Sequence, residues 1–301
     1  MRIVGRAAVA LSGLAVLVQI VYPLVHGSTK TACTAISVVA FFAASLLHAI
    51  SVGGVRAAAA LIGVCVFGGL IVEAVGTRTG WPFGRYEYAH TLGWEVFGVP
   101  IVVALAWAMM GWPALLAARR AGSILVGAAI LTTWDLFLDP QMVRDGHWRW
   151  APTRWPKLHG IPLSNALGWF VVAALMMAVL DRLVPADASL TALPAAMLGW
   201  TWFSETLGHL VFFHRPSVGV VGAMAMAAAL GPVLRRPVAR PGLRGPVARP
   251  VLLTPVLRGP VRPLARPVAW HLERVFGRKH SNQMPQVDPN ATQRSGRRDG
   301  E

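Results

Sequence analysis

Eight apolar runs divide the first 234 residues, at roughly 7–25, 32–50, 57–76, 96–118, 121–138, 161–181, 190–213 and 216–234, each bounded by charges or by Gly and Pro. Their lengths approach the ~20 residues that a helix rising about 1.5 Å per residue needs to cross about 30 Å of hydrocarbon. They lack the period-2 alternation of a membrane β-barrel. The pattern predicts an all-α, polytopic transmembrane helix bundle of about eight helices. Two connections, 77–95 and 139–160, are long and aromatic, with Trp81, Tyr86, Tyr88, Trp94, Trp148, Trp150 and Trp155. Any single Trp here reads most simply as part of an interfacial belt. The stretch 79–88, with two Gly and one Pro among aromatics, is a shaped turn suited to capping an apolar cleft.

Composition agrees with the pattern. The chain has 301 residues, is 55% hydrophobic and 14% charged, and has a mean hydropathy of +0.54, too apolar for a soluble domain of this length. The basic stretch Met1 to Arg6 and the apolar run to Val25 are expected to form a retained helix, because Tyr22-Pro23-Leu24-Val25 lacks the small residues of a signal cleavage site. Cys33 and Cys65 both fall in apolar segments, so neither a disulfide framework nor a thiolate zinc site is implied.

The formal charge of +15 is unevenly placed: residues 235–301 hold 14 of the 28 Lys and Arg but only four of the 13 acids. There the composition changes to Arg-Pro-rich repeats such as Gly-Pro-Val-Ala-Arg-Pro at 245–250. The expected division is a transmembrane domain over 1–234 and a basic, Pro-rich, disordered tail over 235–301, with an amphipathic patch around Trp270 to Phe276. Such a tail fits anionic lipid headgroups better than nucleic acid. It also tips the positive-inside balance toward a multi-pass protein of the cell membrane with both termini cytoplasmic.

Helix parity makes a sharper deduction. If each run crosses the membrane once, Glu73, Glu95, Asp135, Asp139, Asn165, Glu205, His209 and His214 all approach one face. Acids at membrane depth are costly and mark function by default. Asp135 and Asp139, one turn apart before Pro140 is expected to stop the helix, can share a proton, hold a cation or flank a reacting bond. Simpler roles compete. Asp139 suits free backbone amides after Pro140, Asp135 an Arg of the 144–154 loop, and Glu73 and Glu205 hydrogen bonds between helices. His209 and His214 lack companions at ligand spacing, so no metal site is expected. Met109-Met110 and Met176-Met177 suit adaptable packing.

The sequence resembles the carotenoid biosynthesis proteins that include the carotenoid 1′,2′-hydratases. The resemblance rests on Pro82-Phe83-Gly84 with Tyr86 and Tyr88, on Gly98-Val99-Pro100 with Ala106-Trp107 and Met109-Met110, on Trp134-Asp135 through Leu138-Asp139-Pro140-Gln141-Met142, and on Gly160-Ile161-Pro162-Leu163 with Asn165 and Gly168-Trp169. It covers about residues 60 to 215. Leu158-His159 and Ile101-Val102 depart from the family pattern, and the tail lies outside it.

The resemblance implies addition of water to the terminal isopropylidene bond of an acyclic carotenoid, giving a tertiary alcohol. Such an alkene is protonated at its less substituted carbon, by a carboxyl group that burial or a second carboxylate keeps neutral. Asp135 or Asp139 is the expected donor, and its partner the ionised neighbour that later helps deprotonate water. Glu205 with His209 forms a second acid/base set, and Glu73 completes the catalytic candidates. Trp134, Trp169, Trp202 and Phe137 are candidates to hold the cation by cation–π attraction. Trp81, Phe83, Tyr86, Tyr88, Asn165 and His209 complete the expected substrate contacts. No cofactor is implied, because no glycine-rich phosphate loop or haem motif occurs.

Two other classes stay open. A prenyltransferase could use Asp135-x-x-x-Asp139 for Mg²⁺, but it needs a second acidic motif, and no second Asp-x-x-x-Asp occurs. A transporter or carotenoid-binding scaffold would also want an apolar cleft; inverted repeats would favour transport, and none is visible.

Overall fold

The computed structural model describes residues 2–235; the basic, Pro-rich tail and the amphipathic patch expected around Trp270 to Phe276 lie outside the described residues. The apolar runs fold as helices because hydrocarbon offers backbone amides no partner, so each must bond within its own segment. The helices are α1 (Arg2–Val21), α2 (Gly27–Leu61), α3 (Gly68–Thr79), α4 (Ile101–Ala121), α5 (Ile124–Arg144), α6 (Leu163–Leu183), α7 (Ala192–Leu207) and α8 (Pro216–Arg235). π-helical turns at Ile62–Phe67 and Gly208–Phe212 extend α2 into α3 and prolong α7. Five stretches, Ile3–Leu24, Gly27–Thr79, Ile101–Ala121, Leu163–Leu183 and Pro216–Arg235, are long and apolar enough to cross a bilayer, and the chain is a membrane protein.

Gly27–Thr79 spans 53 residues, which as a straight rod would run about 80 Å, well over the ~30 Å of hydrocarbon. It breaks at Gly54, where φ 67° and ψ −166° lie in a region open essentially to Gly alone. The second and third apolar runs are the two arms of this break. Both arms lie along α4: Ser45 Oγ donates to the Met109 carbonyl at 2.8 Å, and Cys65 Sγ lies against Gly111. Helix α4 is the hub, packed on α2, α3, α5, α6, α7 and α8, with Trp107, Trp112, Leu115 and Leu116 fully buried. Apolar side chains such as Leu17, Ile71 and Leu175 face outward, as lipid contact requires.

Two corrections concern helix ends. The fourth run starts as a hairpin, β2 (Glu95–Val96) with β3 (Val99–Pro100), so α4 begins only at Ile101. Pro140 does not stop α5, which continues to Arg144. Neighbours satisfy the disturbed turn: His209 Nε2 bonds the Phe137 carbonyl at 3.1 Å and Arg215 donates to the Pro140 carbonyl at 2.7 Å.

The aromatic connections fold over one end of the bundle. β1 (Tyr86–Tyr88) pairs antiparallel with β4 (Trp148–Trp150), in the register Tyr86 to Trp150 and Tyr88 to Trp148. A further hairpin, β5 (Lys157–Leu158) with β6 (Ile161–Pro162), leads into α6.

Candidate functional site

The ribbon and helices α1 to α7 line a half-open cavity of about 150 Å³. Its chemistry starts on α5. Asp135 and Asp139 are one turn apart and 3% and 2% exposed. Asn165, in the first turn of α6, donates from Nδ2 to Asp135 Oδ2 and Asp139 Oδ2, at 2.7 Å each. The two amide hydrogens thus yoke two acids. Asp139 Oδ1 also accepts from the indoles of Trp148 at 2.6 Å and Trp150 at 3.1 Å. Residues two apart on a strand point to one face, which is why both indoles reach the same oxygen. Asp139 therefore holds three donors and Asp135 one.

Glu73, on α3, is the third buried acid of this end. Its Oε2 accepts from the Tyr86 and Tyr88 hydroxyls, the latter at 2.8 Å, and its Oε1 from Trp107 Nε1 at 3.0 Å. Burial first, and then the neighbouring Glu73 charge, push both phenols well above their ordinary range, so they remain donors.

Aromatic rings fill the space between the acids. Trp107 and Trp169 stack at 3.9 Å with 12° between their planes, and Trp134 meets Trp169 edge-on at 6.1 Å. Phe83 lies 6.3 Å from Trp169, seated over Gly168, where a Cβ would come within 2.8 Å of its ring. Asp135, Asp139, Glu73, Phe83, Tyr86, Tyr88, Trp134, Asn165 and Trp169 all line the one cavity. Such an assembly can protonate an apolar group and hold the resulting cation.

The other end of the cavity is polar, lined by Gln19, Tyr22, Gln141, Ser204 and Glu205. Tyr22 donates to Asp145 at 2.5 Å, and Lys30 pairs with the same carboxylate at 2.7 Å. Trp200 of α7 donates to Gln19 of α1 at 2.6 Å.

Other expected residues lie elsewhere. Trp81 is 67% exposed. Trp202 faces outward and donates to the Ala223 carbonyl. His209 is fully buried between Phe137 and Phe213, and Phe137 packs under Gly222. None of these four lines the cavity. His209 Nε2 is 3.9 Å from Glu205, too far for a hydrogen bond, because it is turned onto the α5 carbonyl. Glu95 pairs with His90, and His214 is exposed, so neither joins the acids that line the cavity.

The simpler roles weighed for the aspartates also give way. Asp139 bonds indoles rather than backbone amides, while Arg144 donates to the Phe213 carbonyl and Arg149 to Glu87. Sequence reasoning missed Trp107, Trp148 and Trp150 as site residues. The Trp-x-Trp spacing carried that signal, but it reads equally as an interfacial belt. Among the described residues, no three His, Cys, Asp or Glu side chains gather as a metal-binding group.

Residues 33–235, well over half of the chain, match the family described as carotenoid biosynthesis protein, and the chain belongs to that family. It is similar to the bisanhydrobacterioruberin hydratase of Haloarcula japonica, with 31% identity over 139 residues, 42% of this chain and 45% of that relative. The chain thus matches less than half the length of that curated relative. No solved structure matches.

Proposed function

We propose that this carotenoid biosynthesis protein is a hydratase, adding water to the terminal isopropylidene bond of an acyclic carotenoid. The observation that carries this reading is the Asn165-yoked pair, Asp135 and Asp139, buried against stacked tryptophans in an apolar membrane cavity. One proton serves the pair. Asp139, with three donors, is the better-stabilised anion, and Asp135, with one, keeps the proton and delivers it to the less substituted alkene carbon. The tertiary cation then lies among Trp107, Trp134 and Trp169, each ring worth about 0.5–2 kcal/mol to a desolvated cation. The name of the Haloarcula japonica relative supports this chemistry, and the substrate enters from lipid with only its end group inside.

Residues 1–234 form the membrane domain and 235–301 a separate basic tail that meets anionic headgroups, with both termini cytoplasmic. Glu205 acts at the polar end of the cavity.

The test is expression in a host that makes lycopene, followed by mass analysis of the pigment. The expected product is heavier by one water per reacted end. Asp135→Asn and Asp139→Asn should each lower hydration by about 10²–10⁴-fold, the usual weight of a general acid, with membrane protein levels unchanged. Unaltered activity in both variants would refute the assignment.

A further inference from the structure

Two stretches of this chain carry matching elements in register, Ile62–Ala121 and Ile124–Leu183, at a constant offset of 62 residues, although α5 runs three residues further than the equivalent end of α3. Strand Tyr86–Tyr88 corresponds to Trp148–Trp150, and hairpin 95–100 to hairpin 157–162. Both hairpins turn through a left-handed pair, Phe97-Gly98 and His159-Gly160. Both helices that follow have 21 residues and start after a proline, Pro100 or Pro162. Even single bonds recur: Ile101 N to Trp94 O and Leu163 N to Pro156 O are both 2.9 Å.

The contacts between the two stretches are their own mirror under this offset. Tyr86 pairs with Trp150, Tyr88 with Trp148, and Glu87 with Arg149. Ala89 N bonds His147 O and Ala151 N bonds Arg85 O, both at 2.9 Å. Trp107 stacks on its equivalent Trp169, and Arg119 pairs with its equivalent Asp181. These are the contacts of a two-fold axis that passes through the ribbon and the stacked indoles. Alternating crossings run α3 and α5 one way and α4 and α6 the other, which makes the repeats parallel, the arrangement whose axis lies along the membrane normal.

At this offset Glu73 is the equivalent of Asp135. We infer that the cavity is a duplicated acid site whose halves have divided the reaction, the Asp135–Asp139 side giving the proton and Glu73 taking one from the attacking water. The inference rests on the hydratase reading. In the second half, Asp139 stands at the position equivalent to Thr77 and Asn165 at that of Val103, which builds the yoked pair. The first half keeps one carboxylate, held by Tyr86, Tyr88 and Trp107, with one of its four acceptor positions left over. Protonation breaks the alkene π bond and leaves the tertiary cation; the water oxygen then bonds to that cation. The resulting oxonium is strongly acidic, so a well-stabilised carboxylate suffices as its base. Glu73 receives that proton and returns it across the shared cavity to the aspartate pair, which restores the starting state with one water consumed.

The test uses the full chain in membranes, with lycopene as substrate in D₂O. Wild type adds D₂O. Glu73→Gln should lose at least tenfold in hydration while still exchanging deuterium into the unreacted terminal isopropylidene, because the cation forms and collapses by proton loss. Asp135→Asn should lose both signals. Glu73→Asp, which keeps the charge, should recover hydration in part. Hydration by Glu73→Gln at the wild-type rate, or loss of exchange together with hydration, overturns the division of labour. If Glu73→Gln does not accumulate, the same comparison is read from Glu73→Asp, whose ratio of exchange to hydration should exceed that of wild type; an equal ratio overturns the inference. A wild type that neither hydrates nor exchanges refutes instead the hydratase reading.

Discussion

Asn165 gives one amide hydrogen to each of two carboxylates, so its removal leaves Asp135 without its donor and Asp139 with its two indoles alone. A hydrogen bond to a charged group contributes about 1.5–3 kcal/mol, and losing this orientation should slow hydration by roughly 10–100-fold in Asn165→Leu. Pigment analysis beside an immunoblot checks this, and an unchanged rate would show that the yoke is dispensable. At this scale the sequence was partly legible. Asp135, Asp139, Asn165 and Glu73 stood out because acids and amides are rare in apolar segments. Trp148 and Trp150 did not, since an indole that donates to a buried carboxylate and one that lies at a headgroup look alike in sequence.

The elements owe their arrangement to a few backbone positions. Gly54 folds one continuous 53-residue apolar helix into two arms beside α4, at a φ/ψ pair that other residues reach only at about 1–3 kcal/mol. Gly54→Ala should therefore lower the detergent-solubilised Tm by several degrees, measured by scanning fluorimetry, and an unchanged Tm would mean the break is held by packing alone. The outcome at Pro140 carries the complementary lesson. A proline normally ends a helix, yet α5 continues to Arg144, with His209 and Arg215, distant in sequence, bonding carbonyls beside it. That compensation also removes His209 from the substrate.

At the scale of the molecule, the proposed reaction places one end group in the cavity of about 150 Å³ and leaves the rest of the carotenoid in lipid. Lycopene, whose two ends are alike, should therefore pass through a singly hydrated pigment before the doubly hydrated one, visible in a chromatographic time course. Direct appearance of the doubly hydrated product would contradict one-end binding. The bundle itself was written in the sequence, because hydrocarbon forces every long apolar run into a helix whatever its neighbours. The parity of the runs likewise brought the key acids to one end without any coordinates. Which acids share a proton and which indoles reach them were decided only by the tertiary structure. Such bonds join residues up to 34 positions apart, as Trp107 to Glu73, and they depend on how helices rotate and pack, which apolar periodicity does not encode.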